Sequence, residues 1–188
     1  MNGHAPSNGA PSGRPQRGEI ADYAWADIDR VPGDGAVEAL VTTARDTVAL
    51  LSAMSESAAS GLTYAPGKWT LKQIVGHLID DERIFAYRAL CVARGEEREL
   101  PGFDENRYMN AADFENRSLS GLIREYQAVR ESTLALFANM PAGSWLRSGV
   151  VNGYPASVRG LAFHIAGHEL HHTRMLREMY LPRLTASA

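Results

Sequence analysis

Apolar residues recur at spacings of three and four in four long stretches of the chain, and each stretch predicts an amphipathic helix. The first runs from Ala36 to Ala59, with Leu40, Ala44, Val48, Leu51 and Met54 in one stripe, Asp34 as its N-cap and Gly61 as its stop. The second starts at Leu71, because Thr70-Leu71-Lys72-Gln73 has the form of a capping box. In it the Thr70 hydroxyl accepts the Gln73 N–H and the Gln73 side chain reaches back. It continues through Ile74, His77, Leu78, Ile84, Phe85 and Leu90 to Arg94 and stops at Gly95. The third begins near Ser118 or Ser120, turns Leu122, Tyr126, Val129, Thr133 and Leu136 toward the core, and is ended by Pro141. The fourth starts after Ser157 and runs to Tyr180, ahead of Pro182. Four such stretches specify an all-α four-helix bundle.

The connections carry less pattern. Residues 1–18 are rich in Gly, Pro, Ser and Asn, with no large apolar residue after Met1, and read as a flexible tail in which His4 is a bystander. Residues 19–33 hold Ile20, Tyr23, Trp25, Ile28 and Val31 ahead of a Pro32-Gly33 turn, which suits a strap laid on the bundle. The bundle itself is expected over 34–182, with a short tail at 183–188. Residues 96–117 are charged and irregular, with one helical turn after Pro101-Gly102. A connection of this length suits a lid, in which Phe103, Asp104 and Tyr108 are candidates for lining a site. Residues 142–154 read as a long link.

Composition narrows the function. The chain has 188 residues, 45% of them apolar, which suits one domain with a substantial core. A formal net charge of −3, with no basic run, argues against a nucleic-acid partner and leaves small molecules or a second copy. No apolar run is long enough for a membrane span and no secretion signal is recognisable, so a cytoplasmic setting is expected. The single cysteine, Cys91, fits a reducing compartment. It lies about 21 Å further along the second helix than His77, so it reads as a core thiol rather than a ligand of the same ion.

Four of the six histidines, His164, His168, His171 and His172, fall within nine residues of the fourth helix. Residues four apart on a helix are about 6 Å apart along the axis and about 40° apart around it, which suits two imidazoles on one metal ion. His164/His168 and His168/His172 both meet this condition, and His168 is common to the two pairs. A mononuclear site needs a third ligand, and outside the cluster His77 is the histidine in a helical stretch. His168-Glu169-Leu170-His171-His172 also satisfies H-E-x-x-H, in which Glu169 would be the general base. Metalloproteases with that signature take their third ligand from downstream, and the sixteen residues after His172 contain no histidine.

Gly67-Lys68-Trp69-Thr70, then Gly76-His77-Leu78-Ile79-Asp80-Asp81-Glu82-Arg83, Leu100-Pro101-Gly102-Phe103-Asp104 and Ala166-Gly167-His168-Glu169-Leu170-His171-His172 together resemble the DinB-like superfamily over about residues 35–182. The resemblance implies a divalent metal, zinc or nickel, held by His77, His168 and His172, and leaves His164 and His171 without a role. Through bacillithiol S-transferases and mycothiol-dependent maleylpyruvate isomerase it implies a low-molecular-weight thiol as nucleophile toward a small-molecule electrophile. Water activated for hydrolysis is the second expectation, and a metal-holding bundle without catalysis the third. Three neutral imidazoles leave one position of a tetrahedral ion free, the arrangement of a catalytic site. Asp80 or Asp81 is expected to support a ligating histidine, Asp81 by virtue of its place one turn after His77. A homodimer is also expected, because Val92, Phe137, Met175, Leu176 and Met179 exceed one stripe per helix and relatives of this type are often dimers.

Overall fold

The computed structural model describes residues 13–186. Among them the helices are α1 (Trp25–Ile28), α2 (Ala36–Ser52), α3 (Glu56–Ala59), α4 (Leu71–Ala93), α5 (Glu105–Ala111), α6 (Leu119–Ala138), α7 (Val158–Met175) and α8 (Leu181–Ala186), the last two joined by a π-helical turn at Leu176–Tyr180. An antiparallel hairpin, β1 (Ser148–Val151) with β2 (Tyr154–Ser157), precedes α7. Helices α2, α4, α6 and α7 form the bundle, in which α2 and α4 each pack against both α6 and α7. None of these helices is long and apolar enough to cross a membrane.

Local chemistry sets the helix starts. Thr70 Oγ1 accepts the Gln73 N–H at 3.3 Å and Gln73 Oε1 accepts the Thr70 N–H at 2.8 Å, so both halves of the capping box are made. Ser118 and Ser157 cap α6 and α7 by accepting the N–H groups of Gly121 and Gly160. The first expected helix is two: α2 ends at Ser52, and α3 restarts behind Ser55, whose hydroxyl accepts the Ala58 N–H at 3.1 Å. A serine able to cap competes with continuing the helix through it. Gly35, not Asp34, occupies the N-cap position of α2, with no side-chain cap bond.

The link expected over 142–154 contains the hairpin. Asn152 (φ 51°) and Gly153 (φ 78°) occupy its turn, both in the left-handed region that a two-residue connection of this hand requires. Leu100 extends the hairpin by bonding to Val150 and Asn152, which carries the following residues 101–104 to one end of the bundle. Gly102 passes so close to Asn152 that an added Cβ would lie 2.3 Å from its Oδ1.

Residues 19–33, expected as a strap, lie against the bundle, and the described residues 13–18 pack there with them. Ile20, Trp25, Ile28 and Val31 are buried. The Arg14 guanidinium donates to the carbonyls of Ile28, Val31 and Gly33, closing the end of α1, and Arg17 stacks on Trp25. The part of the expected tail at 1–12, with His4, lies outside the described residues. At the other end helix α8 runs to Ala186 where a tail from 183 was expected. α1 approaches α7 so closely that a Cβ at Gly167 would meet the Asp27 carbonyl oxygen at 2.3 Å. Val92, Phe137 and Leu176, three of the positions on which a dimer face was expected, fill the core of the single chain; Met179 alone of the five is exposed.

At mid-bundle the interior is ionic. Arg130 of α6, 2% exposed, donates Nε and Nη2 to the two carboxylate oxygens of Glu82 on α4, both at 2.8 Å, and Nη2 to Glu169 Oε2 on α7 at 2.7 Å. Its Nη1 donates to the Leu40 carbonyl (2.6 Å) and Thr43 Oγ1 (3.0 Å) of α2. One guanidinium therefore joins all four bundle helices. This shifts two stripes from the expected register: α2 buries Thr43 and Thr47 where Ala44 and Val48 were expected, and α6 buries Arg130 and Phe137 where Val129 and Leu136 were expected. Arg130→Met removes the cation and leaves two buried carboxylates uncompensated, so urea unfolding is expected to show a loss of about 3–5 kcal/mol. A loss under about 1 kcal/mol would mean that the carboxylates find other compensation.

Candidate metal centre

The second turn of α4 carries His77, and successive turns of α7 carry His168 and His172 on the side facing it. His77 Nε2 and His172 Nε2 each lie 3.1 Å from His168 Nε2, and the three ligand atoms are all within 4.8 Å of one another. Nitrogens bound tetrahedrally at about 2.0–2.1 Å from zinc stand roughly 3.3 Å apart, so the donor set fits an ion of this kind. His168 Nδ1 is 3.3 Å from Asp81 Oδ2. That contact places the Nδ1 proton against the carboxylate and turns the Nε2 lone pair toward the other two rings. Asp81, expected to support His77 on its own helix, instead contacts His168 across the helix interface.

Burial prepares the rings as ligands. Desolvation, reinforced by the neighbouring His168, lowers the pKa of His77 to about 4 and that of His172 to about 2, so both are neutral over the physiological range. Burial also acts against protonation of His168, but the charge and hydrogen bond of Asp81 outweigh it and raise its pKa. Asp81, although fully desolvated, is held below its ordinary pKa by His168. The Trp69 ring packs on His77 at 4.9 Å. His172 Nδ1 is buried without a partner, so the carboxylate support is confined to His168.

His164, one turn before His168, is not in the triad. Its ring stacks on Phe85 at 4.1 Å and faces His168 at 5.5 Å. His171 is half-buried beside His172, outside the triad. Cys91 packs against the core. Glu169 is 1% exposed: Oε1 accepts from Thr47 at 2.5 Å and from the Tyr126 hydroxyl, and Oε2 accepts from Arg130. It is not a solvated helix residue, and both its oxygens are engaged in the buried network.

A cavity of about 540 Å³ opens beside His168, walled by Asp81, Phe85, Arg88, Phe103, Asp104 and His164 and by Tyr23 and Asp27 of the strap region. Phe103 and Asp104 are therefore at the wall, as expected of the connection after α4. Tyr108 is not part of it; its ring lies against Phe103 at 5.4 Å. Arg88, Tyr23 and Asp27 were not anticipated. For Arg88 a signal existed, since 77, 81, 85 and 88 follow one helical face, so the histidine, the aspartate and the arginine share a stripe.

The sequence pattern of the DinB superfamily matches residues 39–176. Among solved structures the chain is similar to YfiT from Bacillus subtilis, described as a probable metal-dependent hydrolase with an unusual four-helix bundle topology. The TM-score is 0.63 at 19% identity, covering 89% of this chain and 94% of that one, a likeness of fold. No curated protein matches the chain.

His77→Ala and His168→Ala are each expected to lose most bound metal on elemental analysis of the zinc-loaded protein, while His164→Ala retains it. Asp81→Ala should weaken affinity by roughly 10–100-fold. Retention by His77→Ala would place the third ligand elsewhere. The pH dependence gives a separate check. Because His77 and His172 are already neutral above about pH 4, only the His168 proton has to be displaced at higher pH. Affinity measured against a competing chelator should therefore rise about tenfold per unit from pH 5 to pH 6 and level off above the raised pKa of His168. Three ordinary histidines would give roughly a thousandfold per unit.

Proposed function

The chain belongs to the DinB superfamily, and from that premise we propose that it is a metal-dependent enzyme in which His77, His168 and His172 hold zinc or nickel and a low-molecular-weight thiol attacks a small electrophile. The observation that carries this reading is the grouping of the His77, His168 and His172 ring nitrogens within 4.8 Å of one another, with His168 also lining a cavity. A bundle that only stored metal would need the histidines but not the cavity. Its volume of about 540 Å³ lies in the range of small-molecule sites.

A divalent ion held there would supply Lewis acidity, lowering the pKa of a thiol or water so that the nucleophile is available near neutral pH. The protein's own groups do the rest. His77 and His172, kept neutral by burial, offer lone pairs without a prior proton loss. Asp81 fixes the tautomer of His168 and compensates positive charge at the centre. Phe85 and Phe103 give the cavity an apolar wall that limits water. Glu169 acts through the frame: by anchoring α7 to Arg130 it sets where its sequence neighbour His168 points. The reading fits the expected cytoplasmic setting, where reduced thiols are abundant. Hydrolysis is the second reading, favoured by the description of YfiT.

The two differ in what they need. With zinc-loaded protein and a generic alkylating electrophile, loss of the electrophile should depend on added thiol, be abolished by chelation, and fall by at least about 100-fold in His77→Ala, in line with the loss of a metal that supplies several kcal/mol of stabilisation. Thiol-independent, metal-dependent ester cleavage would replace this reading with the hydrolytic one.

A further inference from the structure

Among the described residues three cationic side chains are buried, Lys72, Arg88 and Arg130, and of these Arg88 has no carboxylate at ion-pair distance. Arg130 pairs with Glu82 and Glu169, and Lys72 pairs with Glu56. Arg88, 4% exposed, makes one hydrogen bond, from Nη2 to the Pro101 carbonyl at 2.8 Å, out of the five a guanidinium can donate. Its guanidinium carbon lies 4.6 Å from the Phe85 ring centroid and 5.6 Å from that of Phe103, so the group is held between two aromatic side chains. Its remaining nitrogens are not among the buried atoms sealed off without partners, and Arg88 is one of the residues that line the cavity beside His164 and His168.

The acids around that cavity are engaged elsewhere or stand at its rim. Asp81 is held by His168, and Asp27 pairs with Arg30 at 3.1 Å. Asp104 caps α5 by accepting the Arg107 N–H, and Glu105 is exposed on the first turn of that helix. A permanently charged fork, desolvated on two sides by rings and fixed by one carbonyl, is matched in geometry and charge to a carboxylate supplied from solution.

We propose that Arg88 is the anion clamp of this cavity and that the small molecule bound there carries a carboxylate. The clamp determines specificity: the carboxylate takes the Arg88 fork, the body of the ligand lies along Phe85 and Phe103, and the reactive group is left on the His168 side. The assignment of a reactive end rests on the proposed function, whereas carboxylate binding does not. The carboxylate can come from the electrophile or from the thiol, and the chemistry of recognition is the same for both.

Binding is therefore tested on full-length protein stripped of metal, so that an ion cannot hold the probe. Benzoate, followed by ligand-observed NMR, should bind in the millimolar range, and benzamide, of the same shape and uncharged, should bind at least about tenfold more weakly. Arg88→Gln should cost benzoate at least about tenfold in affinity and leave benzamide unchanged, and Arg88→Lys, which keeps the charge but not the fork, should fall between. The acid-to-amide comparison on the unaltered protein keeps the test in force if a variant does not fold. Displacement of benzoate by 3-mercaptopropionate at lower concentration than by crotonate puts the carboxylate on the thiol; the reverse puts it on the electrophile. Equal binding of benzoate and benzamide, or undiminished benzoate binding by folded Arg88→Gln, overturns the proposal. Failure of the metal reading would look different: no zinc retained by the unaltered protein, with benzoate binding still dependent on Arg88.

Discussion

The structure depends on keeping one arginine charged in the middle of a protein. Arg130 meets α2, α4 and α7 from α6 and is 2% exposed, so its desolvation has to be offset by bonds of good geometry. It has them: a two-pronged pair to Glu82, a single bond to Glu169, and a carbonyl and a hydroxyl from α2. Such a knot adds little to net stability compared with apolar side chains of the same volume. Breaking it from one side is destructive, and that asymmetry makes it a specifier of alignment. Each helix can satisfy the arginine at only one rotation and one height.

That alignment determines where the histidines fall. Glu82 follows His77 by five residues on α4, about 7.5 Å along the axis, and Glu169 is the immediate neighbour of His168 on α7. The two helices that carry the candidate metal donors are thus each pinned to α6 within about one and a half turns of those histidines. The network also explains the reading of H-E-x-x-H in this chain. In a metalloprotease the glutamate of that motif faces the ion and works as a base. Here α7 points its histidines to one side and Glu169 to Thr47, Tyr126 and Arg130 on the other, so the same five residues join a donor pair to a structural anchor.

Much of this was legible in the chain. The capping box at Thr70, the caps at Ser118 and Ser157, the strap at 19–33 and the bundle follow from local rules that the tertiary structure does not override. The ligand triad required the resemblance, because spacing alone allows His164/His168 as readily as His168/His172. The structure groups His77, His168 and His172 and leaves His164 outside that group, its ring packed on Phe85. The Asn152-Gly153 hairpin carried its own signal, an Asn-Gly pair between Val150-Val151 and Tyr154, obscured by the length of the surrounding link. The stripes of α2 and α6 depart from the apolar pattern because the faces that turn inward hold Thr43, Thr47 and Arg130. A charged residue in phase with Leu122, Tyr126, Thr133 and Phe137 is a strong sign of a buried partner, and Glu82 on the neighbouring helix was available to be that partner.

The two polar centres of the interior solve opposite problems on adjacent residues. Around Arg130 the cation is permanent, and carboxylates are drawn in until the charge is matched. Around His168 the protein keeps His77 and His172 uncharged by burial and admits one carboxylate, Asp81, so the three rings carry at most one proton beyond their neutral forms. A second acid at the triad would over-compensate that proton, and a protonated His77 would repel the ion. Net charge close to neutral, with three imidazoles grouped within reach of one another, is what the proposed metal site would need in order to receive a cation. Arg88 lines the same cavity as His168, has no carboxylate at ion-pair distance, and lies against Phe85 and Phe103. On the proposed metal site and anion clamp, the cavity would present a cation-receiving group and an anion-receiving group, and a bound molecule would be oriented by charge before shape selects it.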